Sequence, residues 1–126
     1  MLALRYACIT IACVAWDVYF TETAEQWLDS LSDEDFDRVI AAADLLSDRG
    51  PGLGRPTVDS ITSSRHPNMK ELRTGTLRAL FAFDPQRRAI VLLGGDKRGD
   101  WTGWYERNIP LADDRFDQHL HEKGLT

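Results

Sequence analysis

The chain has 126 residues, of which 43% are hydrophobic, and this length and composition predict one domain with an ordinary buried core. Its formal net charge of −5 ordinarily argues against binding to nucleic acid, because neutralising phosphates requires Lys and Arg. Cys8 and Cys13 have a spacing typical of neither a zinc site nor a redox pair, so we expect no bound metal.

The first fifteen residues are apolar apart from Arg5, and we predict that residues 1–15 are an N-terminal extension to a single domain of residues 16–126. One basic residue before the apolar run and no disulfide framework after it argue against an export signal, so we expect a cytoplasmic protein. No stretch reaches the ~20 apolar residues that a transmembrane helix requires, which predicts no association with a membrane.

Alternating residues from Trp16 to Phe20 predict the first strand. Thr23, with Gln26 three residues later, fits a capping box at the start of a helix, and Ser32 is suited to begin a second helix that Gly50 and Pro51 end. Together these signals predict a helical hairpin. Residues 50–67 are rich in Pro, Gly and Ser and are predicted to form a loop.

The segment from Asn68 to Trp104 is typical of three short strands joined by two turns, since polar and apolar residues alternate. Residues 101–107 are predicted to form a helical turn, and Pro110 is suited to the first turn of a last helix. The order of elements predicts an α+β fold, a small antiparallel sheet with the helices on one face: an N-terminal helical hairpin and a C-terminal helix.

Charge is distributed unevenly along the chain. Residues 1–65 carry 5 basic and 11 acidic side chains, a net charge of −6, whereas residues 65–98 carry 8 basic and 3 acidic side chains, a net charge of +5. The second stretch coincides with the predicted strands. A local basic face is therefore compatible with the acidic total.

The common hydrolase motifs are absent from the sequence, because it has no Gly-rich phosphate loop, HExxH helix, Ser elbow or Cys-His pair. His119 and His121 diverge on a predicted helix, and His66 lies in a predicted loop. What remains is a set of cations around three adjacent strands: Lys70, Arg73, Arg78, Lys97 and Arg98.

These cations have two interpretations. They are either solvated sheet charges or a rigid surface that holds an RNA phosphate and stabilises its charge during transfer to the 2′-oxygen, chemistry that needs no metal. Just beyond them lie Trp101, Trp104 and Tyr105, which either stack an unpaired base or pack the last helices onto the sheet.

Six segments together resemble the HigB-type toxins of the RelE/ParE superfamily, in their phage-derived, actinobacterial branch: Trp16–Thr21, Trp27–Leu28, Met69–Arg73, Leu77–Pro85, Leu92–Lys97 and Trp104–Asp113. The resemblance implies a RelE-like fold. It also implies a toxin of a type II toxin–antitoxin system, an mRNA interferase that cleaves mRNA on the translating ribosome and is neutralised by a helix-turn-helix antitoxin. Such a toxin is a metal-independent endoribonuclease without a cofactor.

Carried onto this sequence, the resemblance implies that the catalytic side chains are Lys70, Arg73, Arg78, Lys97 and Arg98, converging on one side of the sheet. Trp101, Trp104 and Tyr105 are the expected RNA-binding residues. Two other functions stay open, because a fold does not fix a function. One is a ParE-like inhibitor of DNA gyrase that is not an enzyme, and the other is a phage-derived binding domain that is not toxic.

Overall fold

The computed structural model describes residues 16–125, so the predicted extension of residues 1–15 lies outside the described residues. The described chain contains five strands and three helices, in the order β1 (Asp17–Phe20), α1 (Glu22–Asp29), α2 (Asp33–Arg49), β2 (Val58–Ser60), β3 (Met69–Thr74), β4 (Leu77–Phe83), β5 (Arg88–Asp96) and α3 (Trp101–Glu122). Within this range, none of the helices combines the length and apolar character needed to span a membrane.

The five strands form one sheet with the order β1-β5-β4-β3-β2. From β2 to β5 each neighbouring pair is antiparallel, as predicted, whereas β1 runs parallel to β5. The α+β prediction is thus confirmed, and the prediction of a purely antiparallel sheet is wrong for β1. The parallel pairing is possible because a long connection that contains helices lies between β1 and β5, whereas a tight turn can join only antiparallel strands.

Helices cover both faces of the sheet, which corrects the prediction that they share one face. The hairpin of α1 and α2 packs on the first face through a core that includes Leu28, Val39 and Phe81. The helix α3 packs on the second face, where its Phe116 joins Leu80 in a separate core. Every residue of β4 is buried as a result, because alternate side chains enter the two cores.

Local signals explain where the first two helices begin and end. Thr21, not Thr23, caps α1, and its Oγ accepts the N–H of Ala24 at 3.3 Å. The prediction of Thr23 is wrong because Thr21 is fixed at the end of β1, where its N–H donates to the carbonyl of Val91. Ser32 caps α2 as predicted, and α2 ends at Arg49, before a Gly50 with a φ of 56°.

Two elements differ from the predicted pattern. The short strand β2 lies inside the segment predicted as a loop, where three residues pair with β3. The helix α3 passes through Pro110 without a break, although Pro removes one helical hydrogen bond. Buried side chains on both sides of it, Ile109 and Ala112, pack on the sheet, and this packing offsets the lost bond.

Gly94 and Gly95 let the two helical layers approach β5 closely. A Cβ added at Gly94 would lie 2.3 Å from the ring of Trp27 on the hairpin side, and one at Gly95 would lie 2.5 Å from Nε1 of Trp104 on the α3 side. Adjacent glycines of one strand therefore face two tryptophans from opposite layers. This pair directly precedes the loop that carries Lys97.

Candidate active site

The sheet and α3 bring together a group of charged and aromatic side chains on the second face. Arg73 and Arg78 are cross-strand partners on β3 and β4, so their side chains lie side by side. Glu71 shares their face because it is two residues from Arg73. Lys97 follows β5, and Tyr105 reaches the group from α3. We call these five residues the cation site.

Glu71 lies at the centre of the cation site and is only 3% exposed. Its Oε2 accepts a hydrogen bond from Nε of Arg73 at 2.9 Å, and its Oε1 accepts one from the hydroxyl of Tyr105 at 2.7 Å. Nε of Arg78 is 3.5 Å from the same Oε1. One buried carboxylate thus holds two guanidinium groups and a phenol in fixed positions.

Arg78 is 6% exposed and almost fully satisfied by its neighbours. Its Nε donates to the hydroxyl of Tyr105 at 3.2 Å, and its Nη1 donates to the carbonyls of Gly75 at 2.7 Å and Leu77 at 2.8 Å. Within residues 16–125, its Nη2 has no hydrogen-bond partner. The guanidinium is therefore held rigidly with one nitrogen left to bind a ligand.

Lys97 is 5% exposed, and its Nζ lies 3.7 Å from the ring centroid of Trp101 and 5.4 Å from that of Tyr105. These are cation–π distances. No acceptor in the described part of the chain bonds this Nζ. Burial, and after it the charge of Arg78, lowers the pKa of the Lys97 ammonium below its ordinary value.

Tyr105 links the strands of the cation site to α3. Its hydroxyl donates to Glu71 and accepts from Arg78, so the phenol is part of a continuous chain of hydrogen bonds. Burial, followed by the bond to Glu71, raises the pKa of Tyr105 above its ordinary value. The phenol therefore stays neutral and can pass a proton along this chain.

The structure does not bring all five predicted cations together. Lys70 is three residues from Arg73 and points to the opposite face, where its Nζ donates to Oγ of Ser60 at 3.2 Å. Arg98 lies beyond the end of β5 with a side chain that is 77% exposed and 3.8 Å from Asp96. The prediction of one converging set is wrong for Lys70 and Arg98, whereas Arg73, Arg78 and Lys97 do converge.

The three predicted RNA-binding aromatics also have different surroundings. Trp101 is 58% exposed, and one face of its ring is covered by Lys97. Tyr105 belongs to the cation site. Trp104 is 5% exposed and packs against Gly95, so the prediction that it stacks a base is wrong and its interpretation as a core residue holds.

Glu71 is the site residue that the sequence reasoning missed. It stands within the Lys70–Arg73 segment, and strict alternation from Arg73 identifies it as a neighbour on the same face. Asp59 on β2 was missed as well, and its Oδ2 accepts from Nη2 of Arg73 at 3.2 Å. Nothing in the local sequence signals this second contact, because β2 was not predicted as a strand.

A groove of about 580 Å³ runs along α3 from the cation site. It shares Tyr105 with the cation site and is lined by Ser63, Trp101, Thr102, Tyr105, Glu106, Ile109, Pro110 and Asp113. We call it the α3 groove. Its lining combines aromatic and aliphatic surface with two carboxylates, those of Glu106 and Asp113.

The loop after β2 is tied to α3 beside this groove. The hydroxyl of Ser64 donates to Asp113 at 2.5 Å, and Nε2 of His66 lies 2.7 Å from Oδ1 of Asp117. Arg65 pairs with Asp114 at 2.8 Å and also bonds Asp117. These contacts fix the wall of the groove that Ser63 contributes.

Comparison with known proteins places the chain among toxin-like sequences. A family model described as "Phage derived protein Gp49-like" matches residues 26–117. The chain is 48% identical over 104 residues to a protein of Mycobacterium tuberculosis named as toxin HigB2, an alignment that covers 79% of this chain and 52% of that protein. It therefore spans about half the length of this relative.

A second protein of the same organism, named as toxin HigB3, is 53% identical over 98 residues, which covers 76% of this chain and 86% of that protein. The resemblance to HigB-type toxins that the sequence motifs indicate is confirmed. In the crystal structure of the RelBE2 toxin–antitoxin complex from Mycobacterium tuberculosis, one chain is similar with a TM-score of 0.53 and 22% identity, covering 66% of this chain and 92% of that chain. This likeness supports the RelE-like fold alone.

Proposed function

We propose, from the premise that this chain belongs to the Gp49-like family of phage-derived proteins, that it is the toxin of a type II toxin–antitoxin system and cleaves mRNA on the translating ribosome. The names of its two mycobacterial relatives support the first part of the proposal. The observation that carries the second part is the cation site, where Arg78 and Lys97 lie together with donors free to bind a phosphate.

The free donors explain how the site would act on RNA. Nη2 of Arg78 and Nζ of Lys97 bind the two non-bridging oxygens of the scissile phosphate, and they stabilise the negative charge that grows there in the transition state. Because Glu71 holds Arg78 in place before the substrate arrives, little reorganisation is needed. The positive charge that stabilises the transition state comes from side chains, so this step does not require a metal.

Proton transfer follows the hydrogen bonds of the site. The 2′-oxygen attacks phosphorus while its proton passes to the hydroxyl of Tyr105, whose own proton moves to Glu71. The bond from phosphorus to the 5′-oxygen breaks, and Lys97, whose pKa is lowered, donates a proton to that oxygen. The products are a 2′,3′-cyclic phosphate and a 5′-hydroxyl.

We assign the toxin three partners: mRNA, the ribosome that positions it, and an antitoxin with a helix-turn-helix domain. The structural neighbour with the same fold was solved as a toxin–antitoxin complex, which supports an antitoxin partner. A cytoplasmic location follows, since translating ribosomes are found there.

The test compares Arg78→Ala and Lys97→Ala with Arg38→Ala, a matched control in which a side chain that is 58% exposed on α2 is removed. Wild type and the control should arrest growth, and the two site variants should not. With purified ribosomes and a reporter mRNA, cleavage should fall by about 10²-fold or more in each site variant, as when one oxyanion donor is removed. Circular dichroism verifies that each variant folds.

Two outcomes would contradict the proposal. If growth arrest is accompanied by intact transcripts and accumulating DNA breaks, the protein acts as a gyrase inhibitor. If folded Arg78→Ala and Lys97→Ala cleave mRNA as fast as wild type, the cation site is not the active site. Mapping transcript ends after brief induction, with and without ribosomes, distinguishes these outcomes.

A further inference from the structure

We propose that the α3 groove binds an unpaired guanine base next to the phosphate that the cation site holds. This inference rests on the proposed function and adds a base preference to it. The groove and the cation site share Tyr105, and Trp101 of the groove lies against Lys97 of the cation site, so a nucleotide whose phosphate contacts Lys97 can place its base in the groove.

Trp101 provides the surface on which the base stacks. Its ring is 58% exposed and lines the groove, while Nζ of Lys97 covers the ring at 3.7 Å from its centroid. A base that stacks on the open face of this ring is separated by the indole from the ammonium of Lys97, which binds its phosphate on the other side. Stacking on an aromatic ring accepts every base, so it gives affinity without selectivity.

The charges of the groove favour the edge of a base over a phosphate. Glu106 and Asp113 both line it, and their carboxylates repel a second phosphate. Asp113 already accepts bonds from the hydroxyl of Ser64 and the N–H of Arg65. Glu106 is exposed and has no bonded partner in residues 16–125, so it is the carboxylate that is free to accept from a ligand.

Among the four bases, guanine fits this acceptor best. An ionised carboxylate accepts with both oxygens, and guanine presents two adjacent donors, N1–H and the 2-amino group. Adenine and cytosine present one donor beside an acceptor nitrogen, and uracil presents one donor between two carbonyls. Glu106 therefore pairs with two donors of guanine and would meet an acceptor on each of the other bases.

The size of the groove agrees with such a ligand. Its volume of about 580 Å³ falls within the range of small-molecule sites. Ile109 and Pro110 add an apolar wall, as is usual where a flat ring is bound. The groove is therefore large enough for a whole nucleoside, the base together with its sugar.

Direct binding provides the first test, which does not require cleavage. The purified chain is titrated with guanosine monophosphate and with inosine monophosphate, which lacks the 2-amino group, while NMR follows the indole N–H of Trp101. Wild type should bind the guanine nucleotide more tightly by on the order of 10-fold. Glu106→Gln should remove this difference, and Glu25→Gln, the same change on an exposed residue of α1, should keep it. Equal affinity for both nucleotides in wild type overturns the proposal.

Cleavage provides the second test and separates this inference from the proposed function. On ribosomes programmed with mRNAs that differ at one base of the codon, wild type should cut beside guanine on the order of 10-fold faster, and Glu106→Gln should lose this preference. If wild type cuts beside all four bases equally, the inference fails while the proposed function stands. If wild type cuts no RNA yet distinguishes the two nucleotides, the proposed function fails and the guanine site stands. If Glu106→Gln weakens antitoxin binding and leaves base preference unchanged, the groove is a protein-binding surface and the inference is overturned.

Discussion

At the scale of single residues, Lys97 shows how a residue of the proposed active site lowers the stability of the free protein. Its ammonium is buried beside Arg78, and both effects lower its pKa, which means that the fold disfavours the charge. The ring of Trp101 at 3.7 Å compensates only in part. A phosphate would relieve this repulsion, so on the proposed function the arrangement that costs stability in the free protein favours binding of RNA.

Lys97→Met should therefore stabilise the free protein while it abolishes cleavage. The folded state binds the Lys97 proton less tightly than the unfolded state, whose pKa is near 10.5, so the charge lowers stability at neutral pH and this loss disappears as pH rises toward 10.5. We expect the free energy of unfolding at neutral pH to rise by about 0.5–2 kcal/mol. The gain over wild type should shrink as the pH approaches that of the unfolded lysine.

Urea denaturation of both proteins at several pH values measures this difference. Lys70→Met is the matched control, because Lys70 lies on the opposite face of the sheet and bonds Ser60. It should show no comparable gain. A Lys97→Met variant that is less stable than wild type at neutral pH would mean that the contact with Trp101 outweighs the repulsion.

At the scale of elements, β5 organises both layers of the molecule. Gly94 lies against Trp27 of α1, and Gly95 lies against Trp104 of α3. The same strand leads directly into Lys97. The distance between α3 and the sheet, and with it the position of Tyr105, therefore depends on the absence of a side chain at Gly95.

Alanine substitutions at the two glycines should have different effects on function. Each added Cβ meets a tryptophan ring and forces it to move, so Gly94→Ala and Gly95→Ala should each cost about 1–3 kcal/mol of stability. Only Gly95→Ala moves α3, and it alone should reduce cleavage by the folded protein. Gly54→Ala is the control, since a Cβ there meets no atom within 4 Å. If folded Gly94→Ala and folded Gly95→Ala cleave mRNA at the same rate, the predicted difference between the two glycines is wrong.

Local sequence patterns predict the elements that depend on interactions between residues close in sequence. Alternation identified β3, β4 and β5, and a single hydroxyl at Ser32 identified the start of α2. The parallel pairing of β1 was not predictable in this way, because its partner β5 lies far along the chain. The prediction that Pro110 lies in the first turn of a helix is wrong for a related reason, because the packing of α3 on the sheet overrides the local preference of Pro.

The residues of the candidate site, like the elements of the fold, were predicted only in part from the sequence. Elimination and the family resemblance select Lys70, Arg73 and Arg78 together, but three positions of separation place the side chains of Lys70 and Arg73 on opposite faces of β3. Trp104 and Trp101 are three residues apart on one helix, yet one is buried and the other exposed. Which face of α3 meets the sheet is a tertiary property, and composition does not report it.

At the scale of the whole molecule, the helical hairpin on the first face is a strongly acidic layer. The exposed acids of α2 are carried by the hairpin on the first face: Asp33, Glu34, Asp37, Asp44 and Asp48. The cation site lies on the second face, next to α3. On the proposed function, the protein presents the cation site to RNA on the face away from this acidic layer, while its total charge opposes approach in other orientations.

Removing acids from the hairpin should accelerate binding to ribosomes. In a variant with Asp37→Asn and Asp44→Asn, the association rate at low salt should rise by roughly 2–5-fold, because two repulsive charges far from the site are lost. The difference from wild type should vanish at about 1 M salt, where screening is complete over a few ångströms. Stopped-flow measurement with labelled ribosomes checks both statements. If wild type and the variant associate at the same rate at low salt, long-range charge does not guide the encounter.

The pairing of β1 with β5 also determines when, during its own synthesis, the protein can complete the cation site. Phe20 of β1 has no strand partner until β5 has emerged, and Tyr105 emerges later still. At 5–20 residues per second, roughly 4–17 s separate the synthesis of β1 from that of Tyr105. A nascent chain therefore lacks the Glu71–Tyr105 bond for most of its elongation. On the proposed function, the ribosome that makes the protein is thus not exposed to a finished site, and the proposed antitoxin has this interval in which to meet the chain.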